Sequence, residues 1–194
     1  MLDVTPSIRS FAQAIDRQRQ ALERIPLLDG ARADLASAMR ALEEAEAAAL
    51  AVRVGSELSR FAAAARAVSV PVLRADALAE EFRIYESRAA GADAVLLRAA
   101  SLPAELLARL AQAASSTHMN PCIVCANEEE MARAARLRAV IAVESPALLA
   151  KAPPRTLLLA LADAPDLRGR ADAVLDAKLA DAAAFRAALA EEEA

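Results

Sequence analysis

Ser69-Val-Pro-Val-Leu-Arg-Ala-Asp76, followed by Tyr85-Glu-Ser-Arg-Ala-Ala-Gly-Ala-Asp-Ala-Val-Leu-Leu97, is the stretch that decides the fold. It holds two short apolar runs, residues 71–73 and 94–97, separated by a segment of helical period that Gly91 interrupts. Short apolar runs divided by a helix are the pattern of parallel strands joined by a crossover. Outward from this unit the alternation recurs, giving eight runs at 25–28, 48–54, 71–73, 94–97, 122–126, 140–143, 156–161 and 173–175. Eight such units predict an α/β chain closed as a (β/α)8 barrel. That fold typically needs about 250 residues and has a lower limit near 200, so 194 residues predict a minimal version.

The expected organisation is a polar, helix-patterned N-terminal arm over residues 1–24 and a single barrel domain over 25–194. Asp34 is positioned to cap a helix reaching Glu46, Pro103-Ala-Glu105 starts another, and Gly91 ends the one beginning near Ala79. Pro146, Pro153, Pro154 and Pro165 leave room for only a short helix between strands six and seven. That half reads as trimmed, and an open or dimer-completed sheet stands beside full closure. Residues 181–194 read as a closing helix running into the acidic, solvated Glu191-Glu-Glu193.

Composition narrows the function classes. An apolar fraction of 57% with 3% aromatic residues means that alanine, leucine and valine carry the core. The net charge of −4 comes from interleaved signs, so no basic face invites nucleic acid. No run approaches the roughly 18 apolar residues of a membrane span, and residues 1–8 lack the pattern of a secretory signal, so a cytoplasmic protein is expected. Cys122 and Cys125 have CxxC spacing but lie in a strand-like run, where residues three apart face opposite sides. They read as two small core residues. His118 falls at the start of strand five, the end of a barrel associated with stability. Four glycines form no phosphate-binding or dinucleotide motif, and neither a cofactor nor a metal is expected.

The Pro-Val-Leu-Arg-x-Asp and Ala-Gly-Ala-Asp-Ala-Val-Leu pieces resemble strands three and four of indole-3-glycerol phosphate synthase, and Asn127-Glu-Glu-Glu-Met-Ala-Arg-Ala134 is similar to the helix start after that family's fifth strand. The resemblance implies a barrel of the ribulose-phosphate-binding type and, for an active member, a carboxy-lyase of tryptophan biosynthesis. It also implies a catalytic lysine in the pattern Leu-Arg-Lys-Asp, where this chain has Ala75. The first-strand Glu-x-Lys falls near Leu27 and Asp29, and the Ser-Pro-Ser loop that should follow is absent. Aligning Val124-Cys-Ala-Asn127 with the family's Val-Glu-Val-His puts Cys125 at the glutamate. Asn-Asn-Arg-Asp becomes Glu144-Ser-Pro-Ala147, Ser-Glu-Ser-Gly becomes Ala160-Leu-Ala-Asp163, and Asp176 takes the place of the eighth-strand glycine. Two carboxylates where a phosphate should sit would repel it by about 4 kcal/mol at 4 Å and an effective dielectric of 20 unless a metal or arginine intervenes, which makes phosphosugar binding doubtful.

No catalytic residue is therefore expected from the family pattern. The residual barrel-mouth candidates are Arg74, Asp76, Asn127, Glu144, Asp163, Asp176 and Lys178, with Asp29, Arg53 and Arg98 also near strand ends. Arg74 and Asp76 both point away from Ala75 and read as a pair tying strand three to its neighbours. Lys178, one of two lysines beside Lys151, is the one near a strand end and the candidate proton carrier of a rebuilt mechanism. Three readings stand: a non-catalytic descendant, or pseudoenzyme, that binds, regulates or supports; a divergent synthase or a barrel repurposed for another small substrate; and a partner-dependent or self-associating subunit. For the last, the alanine- and leucine-rich faces at 61–68 and 106–114 either meet another chain or pack on their own barrel.

Overall fold

The computed structural model describes residues 4–193. The absence of a signal pattern at residues 1–8 thus rests partly on residues 1–3, outside the described residues, as are the side chains of 192–194 in the acidic tail. Eight parallel strands close in sequence order: β1 (Glu23–Asp29), β2 (Leu50–Arg53), β3 (Val72–Ala77), β4 (Ala94–Arg98), β5 (Asn120–Val124), β6 (Val140–Val143), β7 (Leu158–Ala160) and β8 (Ala173–Asp176). Closure is made by β8 against β1, with Glu23 opposite Ala173 and Pro26 opposite Asp176. The open-sheet alternative is thereby set aside.

Helices α2 (Leu35–Glu43), α3 (Leu58–Ala65), α4 (Glu81–Ala89), α5 (Ala104–Ser116) and α6 (Glu128–Arg136) follow strands β1 to β5 in the usual alternation, and α7 (Ala182–Glu193) follows β8. Between β6 and β7 the proline-punctuated segment forms a 3₁₀ turn, Pro146–Lys151, and the β7–β8 connection has no helix. Leu167 from that connection is buried against the sheet and closes the gap. Gly91 ends α4 with φ +102°, a conformation that glycine adopts without a Cβ penalty. Asp34 precedes α2, but its side chain makes no capping bond because Arg32 holds both carboxylate oxygens at 2.9 Å. The helix stops at Glu43, and Glu46 takes a left-handed φ of 68°.

Two apolar layers hold the molecule together. Inside the barrel lie Ile25, Leu27, Ala49, Ala51, Leu73, Ala94, Leu96, Cys122, Val124, Ala142, Leu159 and Leu175; their neighbours in sequence, including Val52, Val72, Val95, Ile123, Ile141 and Val174, face the helices. Small interior residues let a narrow barrel fill without voids. The faces at Phe61, Ala64 and Ala65 and at Leu107, Leu110, Ala111 and Ala114 are buried against this sheet, so the chain itself uses the surfaces considered above for a partner.

The N-terminal segment departs from its sequence reading. Its helix α1 is limited to Phe11–Ile15, and Gln18 and Arg19 take left-handed φ values of 51° and 58° before β1 begins. Phe11 and Ile15 are fully buried in the barrel's interior cluster, so the segment plugs the bottom of the barrel. Arg9 anchors it through Asp93 at 2.8 Å and through carbonyls of Val68 and Gly91 at 2.8 and 3.0 Å. Arg19 donates to Thr156 O at 2.8 Å and stands 3.6 Å from Asp172. The two aspartates play matching roles: Asp93 accepts from Val72 N at the start of β3, and Asp172 from Leu158 N at the start of β7. Each sits in the same pentapeptide, Ala-Asp-Ala-Val-Leu, at 92–96 and 171–175, half a barrel apart.

Candidate functional site

In a parallel barrel, the residues that can act together are those facing inward at the C-terminal strand ends. Here they surround a cavity of about 200 Å³ lined by Leu27, Arg53, Ala75, Leu96, Arg98, Glu144, Leu161, Ala162 and Leu175. Its floor is apolar. Its charged rim consists of Arg53 from β2, Arg98 from β4 and Glu144 just after β6, and Arg98 Nη2 donates to Glu144 Oε1 at 2.9 Å across β5. Arg53 is exposed and has no ion pair within 4.0 Å among the described residues. Its cross-strand neighbour Asp29 serves the β1–α2 turn, with Oδ1 accepting from Ala31 N at 2.9 Å. That turn needs Gly30, whose N donates to Arg53 O at 2.8 Å and where a Cβ would stand 2.7 Å from that same carbonyl oxygen.

Strand β3 keeps the ordinary alternation, with Leu73 and Ala75 facing the barrel interior and Ala75 lining the cavity while its flanking residues face outward, and its register against β4 shifts between Arg74 and Ala77. Arg74 Nε donates to Asp76 Oδ2 at 2.9 Å and Nη1 to Ser87 Oγ of α4 at 3.0 Å. Asp76 accepts from Val54 N and Gly55 N at 3.2 and 3.1 Å. The pair thus ties β3 to α4 and to the β2–α3 loop, outside the mouth.

The other candidates do not converge there. Asn127 caps α6: its Oδ1 accepts from Glu130 N at 2.9 Å while Glu130 Oε2 accepts from Ala126 N at 2.7 Å, a reciprocal box. Asp163 and Asp176 share a cation, Arg24 of β1, at 3.6 and 3.8 Å. An arginine thus stands between the two carboxylates, the intervening cation that the sequence reading left open. Asp176 Oδ1 also accepts from Lys178 N at 2.8 Å, and Lys178 itself is exposed on a 3₁₀ turn outside the mouth cavity. His118 ends α5 at the bottom with φ 59°.

Cys125 requires a correction. It packs in the outer layer between sheet and helices, whereas Val124 is the inward residue at the end of β5. A side chain serving the mouth from this strand end would stand at position 124 rather than at Cys125. Burial pushes the Cys125 thiol up to about 12 and raises the fully buried Cys122 further. Both are free and on opposite faces of the sheet. Among the described residues, no three His, Cys, Asp or Glu side chains group as a metal site, and no helix is long and apolar enough to cross a membrane.

Closed parallel topology, an apolar plug at the bottom and a charged mouth at the strand C-termini define the molecule as a (β/α)8 barrel. A model of the family described as indole-3-glycerol phosphate synthase matches residues 28–145. The chain is 37% identical over 82 residues to the indole-3-glycerol phosphate synthase of Streptomyces griseus, covering 42% of this chain and 30% of that protein. It is 38% identical over 89 residues to that of Paenarthrobacter aurescens, covering 46% and 33%. The matched region therefore spans about a third of the curated relatives' length. A solved structure described as native KDPGal superposes with a TM-score of 0.69 at 18% identity, covering 88% of this chain and 95% of that one, a likeness of fold. The chain belongs to the indole-3-glycerol phosphate synthase family.

Proposed function

We propose that this chain is a non-catalytic member of its family, a barrel that binds at its mouth without performing the family's ring closure. One observation carries the reading: the inward residue of β3 at the mouth is Ala75, where the family pattern has its proton-donating lysine. A methyl group cannot transfer a proton, and general acid–base groups each contribute about 10²–10⁴ in rate. Support comes from the neighbouring inward positions, Leu27, Val124, Leu161 and Leu175, which are equally without titratable groups. The cavity also supports it, since about 200 Å³ falls below the roughly 300–1,000 Å³ of sites that enclose drug-sized ligands. Fold and chemistry are separable, and a barrel persists without its reaction.

Glu144 favours a second reading, a divergent active enzyme, because it is a carboxylate on the cavity rim. One experiment separates the two: the purified chain is incubated with the carboxyphenylamino-deoxyribulose phosphate substrate, and indole fluorescence is followed. The non-catalytic reading expects no product above a protein-free control. Turnover abolished by Glu144→Gln would overturn it.

A further inference from the structure

The mouth cavity combines an apolar floor with a charged rim. Leu27, Ala75, Leu96, Leu161 and Leu175 supply only hydrocarbon, and the three charged side chains on the rim are two arginines and one glutamate. Arg98 is already paired with Glu144, so Arg53 is the charged side chain of the lining left without an ion pair within 4.0 Å among the described residues. A guanidinium offers a planar fork that matches a carboxylate with two parallel hydrogen bonds. Glu144 at the rim and Asp29 beside Arg53 on the adjoining strand oppose a second negative charge on the ligand, which disfavours phosphate dianions. The size of the cavity suits one aromatic ring or a short branched chain.

We propose that the barrel mouth is a binding site for a small organic monocarboxylate, its carboxylate held by Arg53 with Arg98 beside it and its apolar body on the leucine floor. The proposal rests on the reading of the barrel as a binding protein and names its ligand class. Arg53 is the group that selects for charge. Glu144 is a competitor, holding Arg98 until the ligand's carboxylate arrives.

The test is calorimetric and NMR titration of the full chain with benzoate and 3-methylbutanoate, with benzamide as the uncharged counterpart of benzoate and inorganic phosphate as the dianion. Saturable benzoate binding is expected, weakened by added salt, with benzamide and phosphate each binding at least tenfold more weakly. Arg53→Gln, an exposed position whose variant is checked for an unchanged thermal melt, should weaken benzoate about tenfold or more, the value of a charge-assisted hydrogen bond. Glu144→Gln should strengthen benzoate binding several-fold by freeing Arg98, and Arg98→Gln should weaken it. Equal binding of benzamide, stronger binding of phosphate, indifference to Arg53→Gln, or no saturable binding of either carboxylate would overturn the proposal. Absent carboxylate binding together with absent turnover would remove this ligand assignment and leave the non-catalytic reading standing, whereas turnover of the phosphosugar would remove that reading itself.

Discussion

Arg9 Nη2 and Asp93 Oδ2 meet at 2.8 Å beneath the barrel, where the aspartate is fully buried. Asp93 also takes bonds from Ser7 Oγ at 2.6 Å, Arg88 Nη1 at 2.8 Å and Val72 N at 2.9 Å. A buried carboxylate this fully bonded is a structural hub, and removing it strands two arginines and a backbone N–H. Asp93→Ala should cost about 3–5 kcal/mol, read as a lower midpoint in urea at unchanged slope. Arg9→Ala should cost less, because Arg88 remains on the carboxylate.

Phe11 closes the bottom of the barrel at 0% exposure. Phe11→Ala opens a cavity in the interior cluster that holds Ile15, Ile25, Ala49 and Ala51, and should destabilise by about 3–5 kcal/mol. Phe11→Leu, which keeps most of the volume, should recover more than half of that in the same denaturation assay.

Gly30 is required by closeness rather than by its backbone angles. An alanine Cβ would press on Arg53 O at 2.7 Å and Val54 Cα at 3.0 Å, both backbone atoms that cannot swing aside. Gly30→Ala is expected to cost about 1–3 kcal/mol, with chemical-shift changes centred on Arg53 and Val54.

The two thiols give a pH dependence of known sign. Cys125 is raised to about 12 and Cys122 also upward, both by burial. In the unfolded chain a thiol ionises near pH 8.5. Their contribution to stability is therefore complete below about pH 8.5 and declines as pH rises from there toward the folded value. Equilibrium unfolding from pH 7 to 10 should show this fall, absent in a Cys122→Ala/Cys125→Ala double variant. A thiol reagent at pH 8 should label neither cysteine until denaturant is added.

Restoring the lysine alone should not restore the reaction. Ala75→Lys places an ammonium on an apolar floor beside two arginines, with Val124 and Leu27 still inert. The expected result is no indole product and a lower melting temperature. Substantial turnover would mean that Glu144 and the restored lysine between them supply the proton transfers.

Much of this architecture is legible in the sequence, for physical reasons that differ by position. The eight apolar runs and their helical spacers specify a parallel barrel because each strand is buried on both faces. That same property hides the facing of individual residues: Cys122-Ile-Val-Cys125-Ala is apolar throughout, so nothing in it distinguishes the inward Val124 from the outward Cys125. Strand β3 is easier, since Arg74 and Asp76 are charged and Ala75 is not, and their outward ties follow from alternation. The Arg53, Arg98 and Glu144 rim needed the closed topology, as the three lie on β2, on β4 and just beyond β6. The plug at Phe11 and Ile15 left only a weak helical period in five residues. The repeat Ala-Asp-Ala-Val-Leu at 92–96 and 171–175 was the available sign that two aspartates do equivalent work.

The strap formed by Arg9 and Arg19 has a bearing on how the molecule assembles in time. Its first anchor, Asp93, lies in the fourth βα unit, and its second, Asp172, in the eighth. A nascent chain can seat Arg9 once four strands exist, but the Arg19 contact and the pairing of β1 with β8 wait for almost the whole polypeptide. Contacts of such long sequence separation slow the final step. Synthesis from the N-terminus thus makes the first clasp available well before the second, and the last strand to emerge is the one that locks the ring.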